Sequence, residues 1–174
     1  NKIVEFYYFY SMYYKPRMIG NRDNVRYALV QKGKRTLYVV GLNPSTANDK
    51  KADLTMTKIM GFAEKNGYDG FVMFNLYPQR STYPKRLHEE KDETLYTKNL
   101  NTIKKYLSEE INPTVLLCYG NNVHIRYYLK ESVIDIVNIC IHYGAKIVCI
   151  GTTKSGNPKH PSRTAYGFFV DYMI

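Results

Sequence analysis

Thr36-Leu37-Tyr38-Val39-Val40, followed by Gly41-Leu42-Asn43-Pro44-Ser45-Thr46-Ala47, is the stretch on which the reading of this chain turns. The first five residues form a short continuous apolar run, the pattern of a strand covered on both faces. The next seven read as a turn. Gly and Asn accept backbone angles that other residues avoid, and Pro44 fixes one angle and removes a donor. A buried strand that ends this way sets small polar groups at the carboxyl edge of a sheet. In open α/β folds that edge is where ligands bind.

Working outward, the same apolar pattern recurs, giving strands at 36–41, 70–75, 114–119 and 146–151. Helical stripes lie between them: Met56, Ile59, Met60 and Ala63; then Leu100, Ile103 and Leu107; then Val133, Ile136, Val137, Cys140 and Ile141. Gly67 and Gly144 sit where helices end. The alternation predicts an α/β fold with a central, mainly parallel sheet and right-handed crossovers. Upstream, the spacing predicts an aromatic strand at Ile3 to Tyr10, a loop from Lys15 to Asn24 and a strand at Arg26 to Gln31. Lys32-Gly33-Lys34 reads as a tight turn. No repeat, low-complexity tract or long linker interrupts the chain, so residues 1–174 read as one domain.

Composition narrows the function classes. The chain has 174 residues, of which 44% are hydrophobic, enough for a full core. Lys and Arg number 25 against 15 acids, a net charge of +10, which favours polyanions such as nucleic acid. There are 18 Tyr and no Trp. An AT-rich genome would favour Lys, Tyr, Asn and Ile codons and is one source of such a bias; Tyr also stacks on bases. No apolar run reaches membrane-spanning length and no signal-peptide pattern opens the chain, so the expectation is a soluble, cytoplasmic protein with no membrane partner. Cys118, Cys140 and Cys149 sit in apolar runs without metal-ligand spacing and read as buried reduced thiols. There is no zinc signature, P-loop or Ser-His-Asp order, and no metal or cofactor is expected.

Four polar clusters follow the four strands. They are Asn43 to Asn48 with Asp53-Leu54-Thr55; Asn75 to Thr82; Tyr119-Gly120-Asn121-Asn122; and Gly151 to Arg163. Parallel strands would bring all four to one rim. Each cluster also has a plain reading as a turn, and Asp53 equally reads as the N-cap of the next helix. His88, His124 and His142 have no partner pattern.

At these residues the chain resembles a known family. Asn-Pro-Ser-Thr-Ala at 43–47, Asp53-Leu54-Thr55, Asn75-Leu76 with Arg80, and Gly-Asn-Pro-Lys-His-Pro at 156–161 resemble the bacterial and phage family called domain of unknown function 1643. The resemblance runs from about Arg26 to Ser162. More distantly, the order of motifs is similar to the uracil-DNA glycosylase superfamily. Gly41-Leu42-Asn43-Pro44 is like that superfamily's water-positioning turn, and Val72-Met73-Phe74-Asn75 like its base-reading strand. Cys118-Tyr119-Gly120 is close to its Trp-Gly strand end, and His160-Pro161-Ser162 to its last loop.

The resemblance implies a three-layer α/β/α fold with a base pocket. In it, Asn43 positions water and His160 donates to the leaving base. Gly41, Pro44, Ser45, Thr46, Asp53, Asn75, Tyr77, Arg80, Tyr119, Gly120 and Ser162 would contact substrate, with Tyr77 and Tyr119 the candidates for stacking. Lys154, Lys159 and Arg163, with Arg80, would hold phosphates. Two departures weigh against efficient catalysis. An amide at 43 does not titrate and cannot serve as a general base. Arg163-Thr164 stands where the glycosylases commonly place an apolar wedge. The resulting expectation is a protein that binds nucleic acid, DNA first, through a glycosylase-like pocket with weak or absent catalysis. Asn43→Asp would then raise any rate. An active DNA base glycosylase and a protein-interaction module of a mobile element or phage stand as alternatives.

Overall fold

The structure is a computed structural model that describes residues 14–21 and 23–174. The chain forms β1 (Arg17–Gly20), β2 (Arg26–Gln31), β3 (Thr36–Gly41), α1 (Leu54–Lys65), β4 (Gly70–Asn75), α2 (Glu93–Ser108), β5 (Thr114–Leu117), α3 (Tyr127–His142), β6 (Lys146–Cys149) and β7 (Val170–Asp171). The expected aromatic strand at Ile3 to Tyr10 lies outside the described residues. The expected loop from Lys15 to Asn24 instead carries β1, paired antiparallel with β2.

The seven strands make one sheet in the order β1-β2-β4-β3-β5-β6-β7. The four strands read from apolar runs are neighbours and mutually parallel. The outer pairings, β1 with β2, β2 with β4, and β6 with β7, are antiparallel. The sheet is therefore mixed, where a mainly parallel one was expected. The cause is connection length. Residues 32–35 join β2 to β3, too few for a crossover, so β2 must run against β3 and against its parallel neighbour β4.

Alternation along β3 divides its side chains between the two faces. Leu37 and Val39 join Phe71, Met73 and Leu116 beneath Met56, Ile59, Met60 and Ala63 of α1. Tyr38 and Val40 join Val72, Phe74, Val115 and Leu117 beneath Ile103 and Leu107 of α2 and Ile136 and Cys140 of α3. All these residues are buried, as continuous apolar strands require when helices cover both faces. Ile141 departs from the expected stripe and is exposed. The three cysteines are buried and free.

Asp53 starts α1 by accepting the Met56 amide at 2.9 Å. Asp92 caps α2 the same way, with the Leu95 amide at 3.0 Å. The four parallel strands end together at Gly41, Asn75, Leu117 and Cys149, so the loops that follow them meet at one edge.

Candidate functional site

A cavity of about 340 Å³ opens at that edge. Its wall draws on every loop named from the sequence: Gly41, Asn43 and Ser45 after β3, Asn75 and Ser81 after β4, Tyr119 and Gly120 after β5, and His160 after β6. Asp53 and Thr55 at the start of α1 close one side. The volume is at the lower end for small-ligand pockets.

Asn43 is held by its amide nitrogen. Nδ2 donates to Ser81 O at 2.8 Å and Pro44 O at 3.0 Å, with a longer contact to Gln79 O at 3.5 Å. Three carbonyl oxygens around one end of the amide fix which end is nitrogen. Oδ1 accepts nothing from the described residues, so Asn43 offers an acceptor. Asn75 is turned the other way. Its Oδ1 accepts from Arg26 Nη2 at 3.2 Å, and Nδ2 has no partner among the described residues. Asn75 is only 2% exposed, so the direction of this donor matters. Gly41 makes the space for it: a Cβ there would lie 2.9 Å from Asn75 Nδ2 and 2.8 Å from Met73 Cε.

Arg26 is a member of the site that sequence reasoning missed. It opens β2, is 2% exposed and lines the cavity. Nη1 donates to Ala47 O at 3.1 Å, which ties the 43–47 turn to Asn75 through one guanidinium. Nε is buried without a partner. Burial lowers the pKa to about 10, with the charge of Asp53 acting against the shift and that of Arg80 with it. The group stays cationic at neutral pH. A charged residue at the head of Tyr-Ala-Leu-Val was the available signal. Nothing in the sequence places β2 against β4, the pairing that buries it.

His160 caps the short turn Pro161–Arg163. Its Nδ1 accepts the Ser162 amide at 3.2 Å and lies 2.8 Å from Ser162 Oγ. A backbone N–H only donates, so the neutral ring carries its proton on Nε2. Burial lowers the His160 pKa, opposed by the Asp53 charge, so the ring is neutral at pH 7. Nε2–H has no partner among the described residues and is a second donor for the cavity. Gly120 keeps its backbone at φ +69°, and a Cβ there would sit 3.2 Å from His160 Cβ. Only glycine fits that approach without strain.

Asp53 is the one carboxylate in the wall. Both oxygens are engaged, Oδ1 by Met56 N and Oδ2 by Ala47 N at 3.2 Å. Its capping reading is therefore its observed role, and its charge also acts on Arg26 and His160. Cys118 lies in the wall with its thiol pushed up to about 12 by burial, which keeps it protonated. Burial likewise raises the Tyr119 pKa.

The remaining sequence candidates fall elsewhere. Tyr77 is fully buried in the core. Its hydroxyl bonds His88 Nδ1 at 2.8 Å and the Asp92 amide at 3.1 Å, and its ring lies 4.6 Å from that of Tyr128. Pro44 and Thr46 shape the turn without lining the cavity. Arg80 reaches Ala47 O at 3.3 Å and Met18 Sδ, outside the wall. Ser162 lies outside the wall and meets His160 Nδ1 through its amide and hydroxyl. Lys154, Lys159 and Arg163 are exposed on the loop that carries His160. Thr82, Pro84, Asn121 and Asn122 also line the cavity and were not singled out from the sequence as contacts.

Among the described residues no group of His, Cys, Asp or Glu is arranged to hold a metal ion. No helix there is long and apolar enough to cross a membrane. No curated protein and no solved structure matches the chain. Residues 26–162 match the family model described as Protein of unknown function (DUF1643), and the chain belongs to that family.

Proposed function

We propose that this protein binds nucleic acid and holds one nucleobase in the cavity at the sheet edge, on a uracil-DNA glycosylase-like fold, with weak or absent hydrolysis. One observation carries the reading. Asn43, Asn75 and His160 lie far apart in the chain, yet meet in one cavity, each with one hydrogen-bonding atom left over. Two donors, Asn75 Nδ2 and His160 Nε2–H, and one acceptor, Asn43 Oδ1, suit a planar ring bearing carbonyl oxygens and an N–H. The net charge of +10 and the exposed Lys154, Lys159 and Arg163 on the loop that carries His160 suit the phosphates of the same ligand.

The wall argues against fast chemistry. Cleaving an N-glycosidic bond by water calls for a group that can take a proton. Asn43 does not titrate, and both oxygens of Asp53 are committed to backbone amides. His160 presents a proton rather than a lone pair, because Nδ1 is occupied. What is left is recognition.

Titration of the protein with labelled single-stranded and duplex DNA tests this. The expected result is binding that falls roughly 20- to 40-fold between about 50 and 200 mM salt, the loss for three phosphate contacts. Asn75→Ala and His160→Ala should weaken it, with no alkali-labile sites left in oligonucleotides carrying uracil, mismatched or alkylated bases. Absence of binding at low salt refutes the reading and favours a protein partner. Alkali-labile sites that vanish in His160→Ala would instead favour the active glycosylase.

A further inference from the structure

Between β4 and α2 the chain makes a turn, residues 79–88, that is tied down at its base and displays an aromatic ring at its tip. The Ser81 hydroxyl donates to Tyr83 O at 2.8 Å and accepts the Tyr83 amide at 3.2 Å. Gln79 brackets the far end, its Oε1 accepting His88 N at 2.8 Å. From the N-cap position of α3 the Arg126 guanidinium donates to Lys85 O and Leu87 O, both at 2.9 Å, and to His88 O at 3.0 Å. Leu87 anchors the turn in the core at 2% exposure.

Tyr83 itself is 60% exposed. Its chain neighbours Thr82 and Pro84 both line the cavity. Arg86 covers one face of the ring, with Cζ 4.9 Å from the centroid, and no other ring of the described residues stacks on it. Lys85 and Arg86 are exposed. A rigid turn that holds an aromatic ring and two cations beside a pocket has the parts of a single-strand binding platform. The ring gives a sequence-tolerant stacking face and the cations meet the backbone.

We propose that Tyr83 stacks on the nucleobase next to the one in the cavity, on an unpaired strand whose phosphates meet Lys85 and Arg86. This rests on the nucleobase reading of the cavity and extends it to the neighbouring nucleotide. The platform supplies an aromatic contact outside the cavity, where Tyr77 is buried in the core and Arg163-Thr164 offers no apolar wedge.

The chain contains no Trp, so Tyr83→Trp places a single fluorescent reporter on the turn. Saturating oligodeoxythymidylate should quench it, while heparin, a polyanion without bases, should not. Tyr83→Ala should bind the oligonucleotide about tenfold or more weakly with its salt dependence unchanged, the usual loss for one stacked base. Lys85→Ala with Arg86→Ala, made in the Tyr83→Trp background, should keep the quenching of the indole and lower the salt slope by about 1.4, two charges at about 0.7 each. Equal fluorescence in the two ligands, or a Tyr83→Ala protein that binds as wild type, overturns the platform. If Asn75→Ala still weakens binding in that case, the cavity reading stands. A wild-type protein that binds no oligonucleotide at low salt overturns both.

Discussion

Asn43→Asp adds a titratable oxygen at the turn and, from the sequence alone, should improve any hydrolysis. The hydrogen bonds of Asn43 set a cost on that change. Nδ2 donates to Ser81 O at 2.8 Å and Pro44 O at 3.0 Å, and Gln79 O lies at 3.5 Å. An aspartate puts an acceptor where the donor was. Losing two neutral hydrogen bonds costs about 1–3 kcal/mol, at about 0.5–1.5 each. That is the whole expected effect of Asn43→Ala. The carboxylate in Asn43→Asp faces the same carbonyl oxygens in a half-buried site, which adds roughly 1–3 kcal/mol for an acceptor left without a donor. Asn43→Asp should therefore be less stable than Asn43→Ala at pH 7. In a chain of this length each kcal/mol corresponds to about 2–4 °C in Tm.

The pH dependence distinguishes this from a simple packing defect. Only the protonated acid can donate to Ser81 O, so the folded state holds the new carboxyl's pKa above its unfolded value. The folded protein then binds more protons than the unfolded chain between those two values, and stability falls as pH rises through that window. The penalty is complete above the folded pKa and fades as pH drops towards the ordinary aspartate value of about 3.9. Denaturant unfolding of wild type, Asn43→Ala and Asn43→Asp at pH 7 and pH 4.5 provides the check. The gap between Asn43→Asp and Asn43→Ala should narrow or reverse at pH 4.5. An Asn43→Asp protein as stable as wild type at pH 7, or a gap that widens in acid, would refute the assigned amide orientation.

His160 makes a contribution of opposite slope. Burial lowers its folded pKa, so the unfolded chain binds the extra proton first, and the stability its neutral form provides is lost as pH falls from about 6.5 through the folded value. Urea midpoints across that range should drop less in His160→Gln than in wild type, and ring ¹⁵N shifts should report the Nε2–H tautomer. Gly41→Ala brings a Cβ to 2.8 Å from Met73 Cε and 2.9 Å from Asn75 Nδ2. Overpacking of about 1–3 kcal/mol outweighs the roughly 0.4–1 gained by removing a glycine from the unfolded chain. Thermal unfolding should show the loss, and oligonucleotide affinity should fall with it; no change in either would remove Asn75 Nδ2 from the cavity argument. Arg26→Met leaves Asn75 Oδ1 without a donor and Ala47 O with only the longer bond from Arg80 Nη2 at 3.3 Å, which costs about 1–3 kcal/mol for the orphaned acceptor, partly offset by relief from burying a guanidinium. Arg26→Lys should not rescue it, because one ammonium lacks the fork that serves both acceptors. Full stability in Arg26→Lys, measured by denaturant unfolding, would show that the fork is unnecessary.

What the sequence made legible follows from which interactions are local. Apolar runs at 36–41 and 70–75 give β3 and β4 with their observed bounds, because burial on both faces leaves a continuous pattern that needs no partner to be read. β5 and β6 stop two residues before their apolar runs do. Cys118 is the reason at β5: it stays fully buried and still bonds back, its amide to Val40 O at 3.0 Å, yet it already belongs to the cavity wall. Hydrophobicity marks burial and does not mark where the ladder ends. The same limit explains the site. Asn43, Asn75, Gly120 and His160 were visible because each ends a strand or its loop, and four parallel strands bring their carboxyl ends together. Arg26 was not visible, because its role comes from β2 pairing with β4 across the sheet, a contact that depends on a four-residue turn and not on any pattern within β2. Yet Arg26 decides what the cavity offers. By holding Asn75 Oδ1 it leaves Nδ2 as the group facing a ligand, and by holding Ala47 O it fixes the turn that carries Asn43. Local patterns named the residues of the wall, and a non-local cation set which of their atoms are left for a ligand.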